Sequence, residues 1–563
     1  MSNIPPGLLL VIGGVLVMGV PARLRSLTLM AAAILVMVQL LIWLEPGTRL
    51  EMEWLGFSIT PLRVDELSMV FGYVFGLMTI IGGVYSFHLR SRGPQAASLM
   101  YGGGALGTVF AGDLLTLVLG WELMALASAY LVITGGFPMS RRAGARYLFV
   151  HLVGGTLLLS GVLWHIGVGD GQTSFNAFEG GLSAWLVILG VAINAAIPPL
   201  HAWLADAYPE ASVTGTVFLS AFTTKSAVYV LARGFAGWEV LVVAGVIMAL
   251  YGAVYAVLEN DTRRLLAYSI VSQVGFMVAA VGIGTQAAIN GAAAHAFTHV
   301  IYKGLLLMGA GAVLYATGTS KMSQLGGLSS RGMRTVFALY MVGALSISAF
   351  PLFSGFVSKS MVIFAAEDEH LEWVAFLLYG ASVGTFLHTG LKLPYFTWFG
   401  QPTRDATIEH GIPPGMYIAM AMAAILSIGI GVYPDVLYQR LPYPVDYQPY
   451  TVAHVVHSLE FLALAGLGFW LFLERLRPYP VISLDTDWFY RKADQPVRGL
   501  VLEPLAYIFD AAQMGVDRLV RFVTRLDSDP GGLLPLRRLT PVGAGITLII
   551  LVSGLTVLWS ILR

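Results

Sequence analysis

The stretch "AGDLLTLVLGWELMALASAYLV" (residues 111–132) decides how the chain is to be read. Its twenty-two residues are long and apolar enough to cross a bilayer as a helix. Yet it carries Glu122 beside Trp121, near its middle. A carboxylate at bilayer depth costs a few kcal/mol or more, so it is seldom placed there without a task. The rest of the chain has the same two-part character. Of its 563 residues, 57% are hydrophobic and 11% charged, with a mean hydropathy of +0.76. A soluble protein of this size needs far more charge on its surface.

Apolar runs recur along the whole length. They predict spans near 7–20, 27–44, 66–87, 97–111, 113–133, 147–167, 183–203, 213–232, 238–258, 264–283, 288–316, 333–365, 372–398, 414–433, 455–474 and 541–562. The runs are too long, and too poor in dyad alternation, for a membrane β-barrel. The first follows only "MSNIPP", with no basic n-region and no small-residue cleavage motif, and is expected to be a retained helix. There is no cysteine, hence no disulfide framework or thiolate metal site, and a net charge of zero offers nucleic acid no electrostatic partner.

Basic residues alternate between loops: Arg23 and Arg25, Arg90 and Arg92, Arg141, Arg142 and Arg146, Arg263 and Arg264, Lys321, Arg331 and Arg334. The positive-inside rule makes these loops cytoplasmic and turns both termini to the periplasm. The loop "LADAYPEAS" (204–212), with Asp206, is acidic where this phase requires basic.

Two spans contain helix breakers, "NAAIPPLHAW" (194–203) and "ISAFPLFSGFVSKS" (347–360). Proline at depth frees backbone carbonyls, tolerated where they meet protein or water. Paired interrupted helices suggest inverted repeats around an ion path, against ordinary kinks as the plainer alternative. Beyond residue 480, apolar positions from Leu500 to Phe522 recur at helical spacing with Arg518, Arg521 and Arg525 as a basic face. They predict a helix lying along the membrane surface before the last span.

Ionisable residues gather inside these spans. Lys225 lies mid-span in "VFLSAFTTKSAVYVLAR" (217–233). His295, His299 and Lys303 follow each other at intervals of four in "GAAAHAFTHVIYKGLLLMGAG" (291–311), so they share one helix face. Lys359 follows the second break, and His388 and Lys392 lie four apart in "TFLHTGLKLPYF" (385–396). Groups of this kind, linked by water, can load and release protons near neutral pH. Snorkelling is the competing explanation, strongest for Lys392 near a span end. A zinc site at His295 and His299 fits less well. The zincin pattern requires Glu after the first His, where Ala296 stands, and Lys303 would repel a cation.

The segments "GWEL", "PPLHAWLADAYPEA", "DTRRLLAYSIVSQVGFM" (261–277), "HAFTHVIYKGLLLMGAG" and "FPLFSGFVSK", in this order over roughly residues 60–400, resemble the antiporter-like membrane subunits of respiratory complex I. They are more similar still to the D subunit of multisubunit Mrp-type sodium/proton antiporters, and "DWFYRK" (487–492) resembles the tail of a proteobacterial D-type branch.

The resemblance implies an all-α polytopic membrane protein. A core of about fourteen helices with two inverted repeats and broken helices would carry a C-terminal interfacial helix and a final span. The expected divisions are N-terminal spans (1–95), the antiporter-like core (96–400), additional spans (401–480), the interfacial helix (481–540) and the last span (541–563). Glu122 matches the family's essential carboxylate and Lys225 its central lysine. His295, His299 and Lys303 match the connecting relay, and Lys359 the ionisable residue of the second broken helix. Asn194 stands where relatives usually carry a lysine paired with the glutamate; it can hydrogen-bond but holds no charge. His201, Asp206, His388 and Lys392 are expected to support the relay. The implied function is proton translocation in a cation (Na+)/proton antiporter of the bacterial inner membrane, among lipid and partner subunits, with no cofactor or bound metal. The alternative on the same scaffold is the proton-pumping arm of a complex I-like oxidoreductase or of an inorganic-carbon uptake complex.

Overall fold

The computed structural model describes residues 4–169, 171–401, 407–480, 483–486 and 488. Met1–Asp485 form one compact unit and Thr486–Arg563 a second, so the expected interfacial helix and last span lie outside the described residues. The first unit begins with α1 (Pro6–Gly19) and α2 (Arg25–Ile42), a hairpin of β1 (Arg49–Trp54) and β2 (Phe57–Arg63), then α3 (Glu66–Tyr85), α4 (Arg92–Val109), α5 (Leu114–Ile133) and α6 (Ser140–Val168). It continues with α7 (Gly181–Ala195), α8 (Ala202–Ala207), α9 (Gly215–Leu219), α10 (Thr223–Gly234), α11 (Glu239–Leu258), α12 (Thr262–Ile283) and α13 (Gln286–Thr317). The rest is α14 (Arg334–Ile347), α15 (Ser354–Asp368), α16 (Glu372–Thr385), two π-helical turns (Phe386–Lys392 and Tyr395–Phe399), α17 (Pro414–Val432), α18 (Asp435–Tyr438) and α19 (Val452–Leu471).

Eleven helices among the described residues are long and apolar enough to cross a membrane, and the chain is a membrane protein. Side-chain caps set several helix starts. Asp65 makes a reciprocal capping box with Ser68, Asp113 accepts from Thr116 N at 2.8 Å, and Asp261 accepts from the N–H groups of Arg263 and Arg264. Each such acceptor satisfies an orphan donor of the first turn and stabilises it by about 0.5–2 kcal/mol. Both Asp65 oxygens also accept from Arg233 Nη2, at 2.6 and 2.7 Å. Burial pushes the Asp65 carboxyl up, but Arg233, Ser68 and Arg63 outweigh it and hold the group below the usual carboxylate range.

Helices α12 and α13 are almost wholly buried and form the centre. Helix α11 lies so close to α12 that a Cβ on Gly252 would run into the backbone of Ser272. Small residues at such seams let backbones approach, the principal source of helix association in lipid. On the outside, α1, α2 and α19 expose Leu8, Val15, Leu41, Ile42, Trp470 and Leu471, a surface fit for lipid and not for water.

The two expected breaks are present. Helix α7 ends at Ala195 and the chain resumes helix at Ala202; α14 ends at Ile347 and α15 starts at Ser354. Both breaks hold non-glycine residues in the left-handed region, Ala196 (φ +60°) in the first and Ala349 (φ +56°) and Leu352 (φ +75°) in the second. Strain of this kind persists only where the surrounding packing enforces it, and it clusters at working sites. Two expectations need correction. The span predicted over 213–232 is itself interrupted between Leu219 and Thr223, and that over 333–365 is two helices. Small polar residues at 220, 223 and 224 can bond their own backbone and relieve the ladder, a weaker signal than proline. The β1–β2 hairpin was also unforeseen; its turn uses Leu55 and Gly56 at positive φ, with Leu55 disguising the usual Asn-Gly or Asp-Gly signature.

Candidate functional site: a buried row of ionisable side chains

The interruption between α9 and α10 places Lys225. Its ammonium donates to the Ser220 carbonyl at 2.6 Å and to Thr224 Oγ1 at 3.1 Å, and the residue is fully buried. Lys359 repeats the arrangement at the second break. Its Nζ donates to Ile347 O, the last residue of α14, at 2.7 Å and to Ser382 Oγ at 3.3 Å. Lys392 does so a third time, donating to Val257 O and, at 3.0 Å, to Glu259 O at the end of α11. Each lysine thus rests on carbonyls that the helix ladder leaves free, the negative end of a helix dipole. Snorkelling does not describe any of them, since all three are 2% exposed or less.

Between Lys225 and Lys359 runs the face of α13. The rings of His295 and His299 are 6.2 Å apart, and Tyr302 stands edge-on to His299 at 5.3 Å. His295 Nδ1 meets Ser358 Oγ at 3.1 Å, which meets Thr298 Oγ1 at 2.7 Å; Ser358 directly precedes Lys359. Lys303 donates to Ser269 Oγ at 2.8 Å. Both nitrogens of His299 and Nε2 of His295 are buried with no hydrogen-bond partner among the described residues. Lys225, Lys303, Lys359 and His295 all act electrostatically on His299, and Lys303, Lys359 and Lys392 on His388. The π-helical turn that holds His388 and Lys392 is a rare geometry found mostly at functional positions. Beside Lys359, a cavity of about 30 Å³ is lined by Ser382, Glu367, Tyr379 and His454, roomy enough for a water or two.

Glu122 stands apart. It is half-buried at the α5–α6 seam with its carboxylate against Gly155, where a Cβ would lie on top of Oε1. No hydrogen bond or ion pair joins it to Lys225 or Asn194 among the described residues, and Asn194 Oδ1 is buried without a partner. The other predicted residues divide. Asp206 is locked to Arg146 by two bonds of 2.7 and 2.8 Å, and His201 pairs with Asp485, a residue that sequence reasoning missed. The small polar partners Ser269, Ser358, Thr298 and Ser382 were missed too, because hydroxyls inside apolar helices are common and carry no charge signal.

The acidity of the loop around 204–212 is also explained. Arg146 neutralises Asp206, and buried Arg263 donates to Pro209 O at 2.8 Å, Tyr208 O at 3.0 Å and Ala211 O at 2.6 Å, so the basic charge required there arrives from neighbouring loops.

Comparison with known proteins agrees with this geometry. Residues 111–386 match the family described as NADH:quinone oxidoreductase/Mrp antiporter, transmembrane. A Na(+)/H(+) antiporter subunit of Alkalihalophilus pseudofirmus is 30% identical over 443 residues, covering 68% of this chain and 53% of the relative. Hydrogenase-4 component B of Escherichia coli is 28% identical over 422 residues, covering 66% of this chain and 62% of the relative. The chain therefore spans between half and two thirds of the length of these curated relatives. A chain in the structure of the Mrp complex from Dietzia sp. DQ12-45-1b superposes with a TM-score of 0.76 at 23% identity, over 99% of this chain and 66% of that one. The match spans the interrupted α7–α8, the Lys225 break and the His295–Lys303 face, and by it this chain belongs to the NADH:quinone oxidoreductase/Mrp antiporter transmembrane family.

Proposed function

We propose that the chain is a proton-translocating subunit of a multisubunit monovalent cation/proton antiporter in a bacterial inner membrane, with its basic loops cytoplasmic. The observation that carries this reading is the row from Lys225 through His299, His295 and Ser358 to Lys359, sealed in a core of apolar helices. Buried ionisable groups inside a membrane are costly, and a row of them is the arrangement that proton relays use. Hydroxyls and bridging waters span the gaps between groups, as they do for other buried polar atoms. The lysines sit on free helix-end carbonyls, which stabilise a proton on the amine without fixing it there. Lys303, His388 and Lys392 form a branch towards the basic-loop side, and the cavity beside Lys359 leads towards the acidic loop at Glu367.

The test is proton counterflow in vesicles containing the assembled complex, driven by an imposed Na+ or K+ gradient. Alkalinisation or acidification that follows one of these gradients supports the reading, and silence with both refutes it. The redox-coupled alternative draws on the hydrogenase-4 relative. It predicts proton movement only when an electron donor is supplied, with the redox centres carried by other chains, because this one has no cysteine to ligate a cluster.

Glu122 offers a sharper test. In Gly155→Ala the new methyl group displaces the carboxylate, the flexible end of its side chain, and leaves the backbone alone. Stability should fall by no more than about 1 kcal/mol, the low end for overpacking. Transport should drop by about ten- to a hundredfold, the scale on which an ångström of misplacement acts. Flux equal to wild type would remove Glu122 from the path.

A further inference from the structure

The chain beyond α19 returns to the broken helix. Asp485 is 6% exposed and places its carboxylate in the α7–α8 break. It accepts from Tyr251 at 2.5 Å through Oδ1, and from Tyr268 at 2.5 Å and His201 Nε2 at 3.1 Å through Oδ2. Tyr255 donates to the neighbouring Leu484 carbonyl at 2.9 Å, so the backbone on that side is anchored too. His201 is fully buried, and its other nitrogen, Nδ1, has no hydrogen-bond partner among the described residues. A helix interior that excludes an unpaired charge thus receives one carboxylate, from outside the spans, aimed at one imidazole.

We propose that Asp485 and His201 form a proton-loading site on the basic-loop side of the molecule, in which the tail supplies the counter-charge for an imidazolium. A proton taken up by the open Nδ1 converts neutral His201, already bearing hydrogen on Nε2, into a cation paired with the carboxylate; its release restores the neutral ring. The two tyrosines fix the carboxylate so that both oxygens face the break. Asp485 is a positioning residue and counter-ion, while His201 is the carrier. Burial pushes the Asp485 carboxyl up, but the His201 bond and charge and the two tyrosines hold it below the usual carboxylate range, so it is the anionic member of the pair. The other charged or titratable groups around His201 are His151 and the Arg146–Asp206 pair from α6 and α8, Tyr251 and Tyr255 from α11, and Tyr268 with the Arg264–Glu259 pair at the start of α12. Arg146 is committed to Asp206 and Arg264 to Glu259, which leaves Asp485 as the carboxylate in contact with the ring. The site would occupy the position where relatives carry the lysine that Asn194 replaces, and so would give the break a titratable group again.

This proposal rests on the transport reading above, and two measurements keep their failures apart. The first is proton flux by the assembled complex in phosphatidylethanolamine/phosphatidylglycerol vesicles, as a function of pH on the basic-loop face. Removing the carboxylate lowers the proton affinity of the ring. The pH of half-maximal flux in Asp485→Asn should therefore move to acid by about one to three units, the range an adjacent opposite charge commands. Asp485→Glu should bring it most of the way back, and Asp485→Asn added to His201→Gln should shift nothing further. The second is the NMR titration of the His201 imidazole in the purified full chain, assigned by its loss in His201→Gln; its midpoint should move with the flux midpoint. An unmoved midpoint in Asp485→Asn overturns the proposal at any rate of flux, since a mere tail clamp would change yield or rate and leave the midpoint alone. Absent wild-type flux with an Asp485-dependent titration would sink the transport reading and leave the proton site standing.

Discussion

Lys225→Arg abolishes proton flux, and Lys225→Met does the same. Lys225 is fully buried on the Ser220 carbonyl, in the break between α9 and α10. In methionine no proton can be held at all. Arginine keeps the charge and the donors but does not release its proton in a protein. If the site only required a cation to cap Ser220, arginine would preserve function. If it requires a group that loads and unloads, both variants fail, by a factor of about 100 or more, the scale of losing a positioned proton donor. The measurement is dye-reported proton flux in vesicles, with insertion checked by protein content. Flux within about twofold of wild type in Lys225→Arg would mean that Lys225 has a structural role only.

The largest loss of stability is expected from Arg263→Ala. The guanidinium is buried and gathers the carbonyls of Tyr208, Pro209, Ala211 and Ser212 with the Thr216 hydroxyl, over the ring of Phe137. It thereby ties the far end of the first broken helix to the start of α12, whose own cap is Asp261. Alanine leaves several buried carbonyls without a donor, each at about 1–3 kcal/mol before relaxation. A net loss of about 4 kcal/mol should appear as a lower Tm in detergent and as early proteolysis between residues 208 and 216. Arg263→Lys should recover only part of it, because an ammonium cannot fork across acceptors that lie apart. An unchanged Tm in Arg263→Ala would mean that the loop is held by other contacts.

Much of this architecture is legible in the sequence for a simple reason. Spans are read from length and apolarity, and a bilayer enforces both, so α3, α5, α11 and α17 fall within a few residues of their predicted bounds. Prolines 198, 199 and 351 announce two breaks because proline removes a donor. The third break, at Ser220–Phe222, has no proline and was read through. Lys225, Lys303 and Lys359 were visible because charge in an apolar run is conspicuous, and the geometry draws them together around His299. Their partners were not visible. Ser358, Ser269 and Ser382 are polar but unremarkable in sequence, and the pairing of His201 with Asp485 joins positions 284 residues apart. No periodicity within one helix encodes a contact made by the tail. Glu122 shows the converse: the residue that stood out most in sequence is half-buried against Gly155, outside the hydrogen-bonded row.

The path along α13 depends most on His299, which stands between Lys225 and Lys359 with both of its nitrogens lacking a protein partner among the described residues. Phenylalanine keeps the ring, its volume and its edge-on packing with Tyr302, and removes only the capacity to carry a proton. Proton flux through His299→Phe in vesicles, with Lys225 and Lys359 intact and Tm unchanged, should fall by about 100-fold. Flux at the wild-type rate would contradict a path along α13.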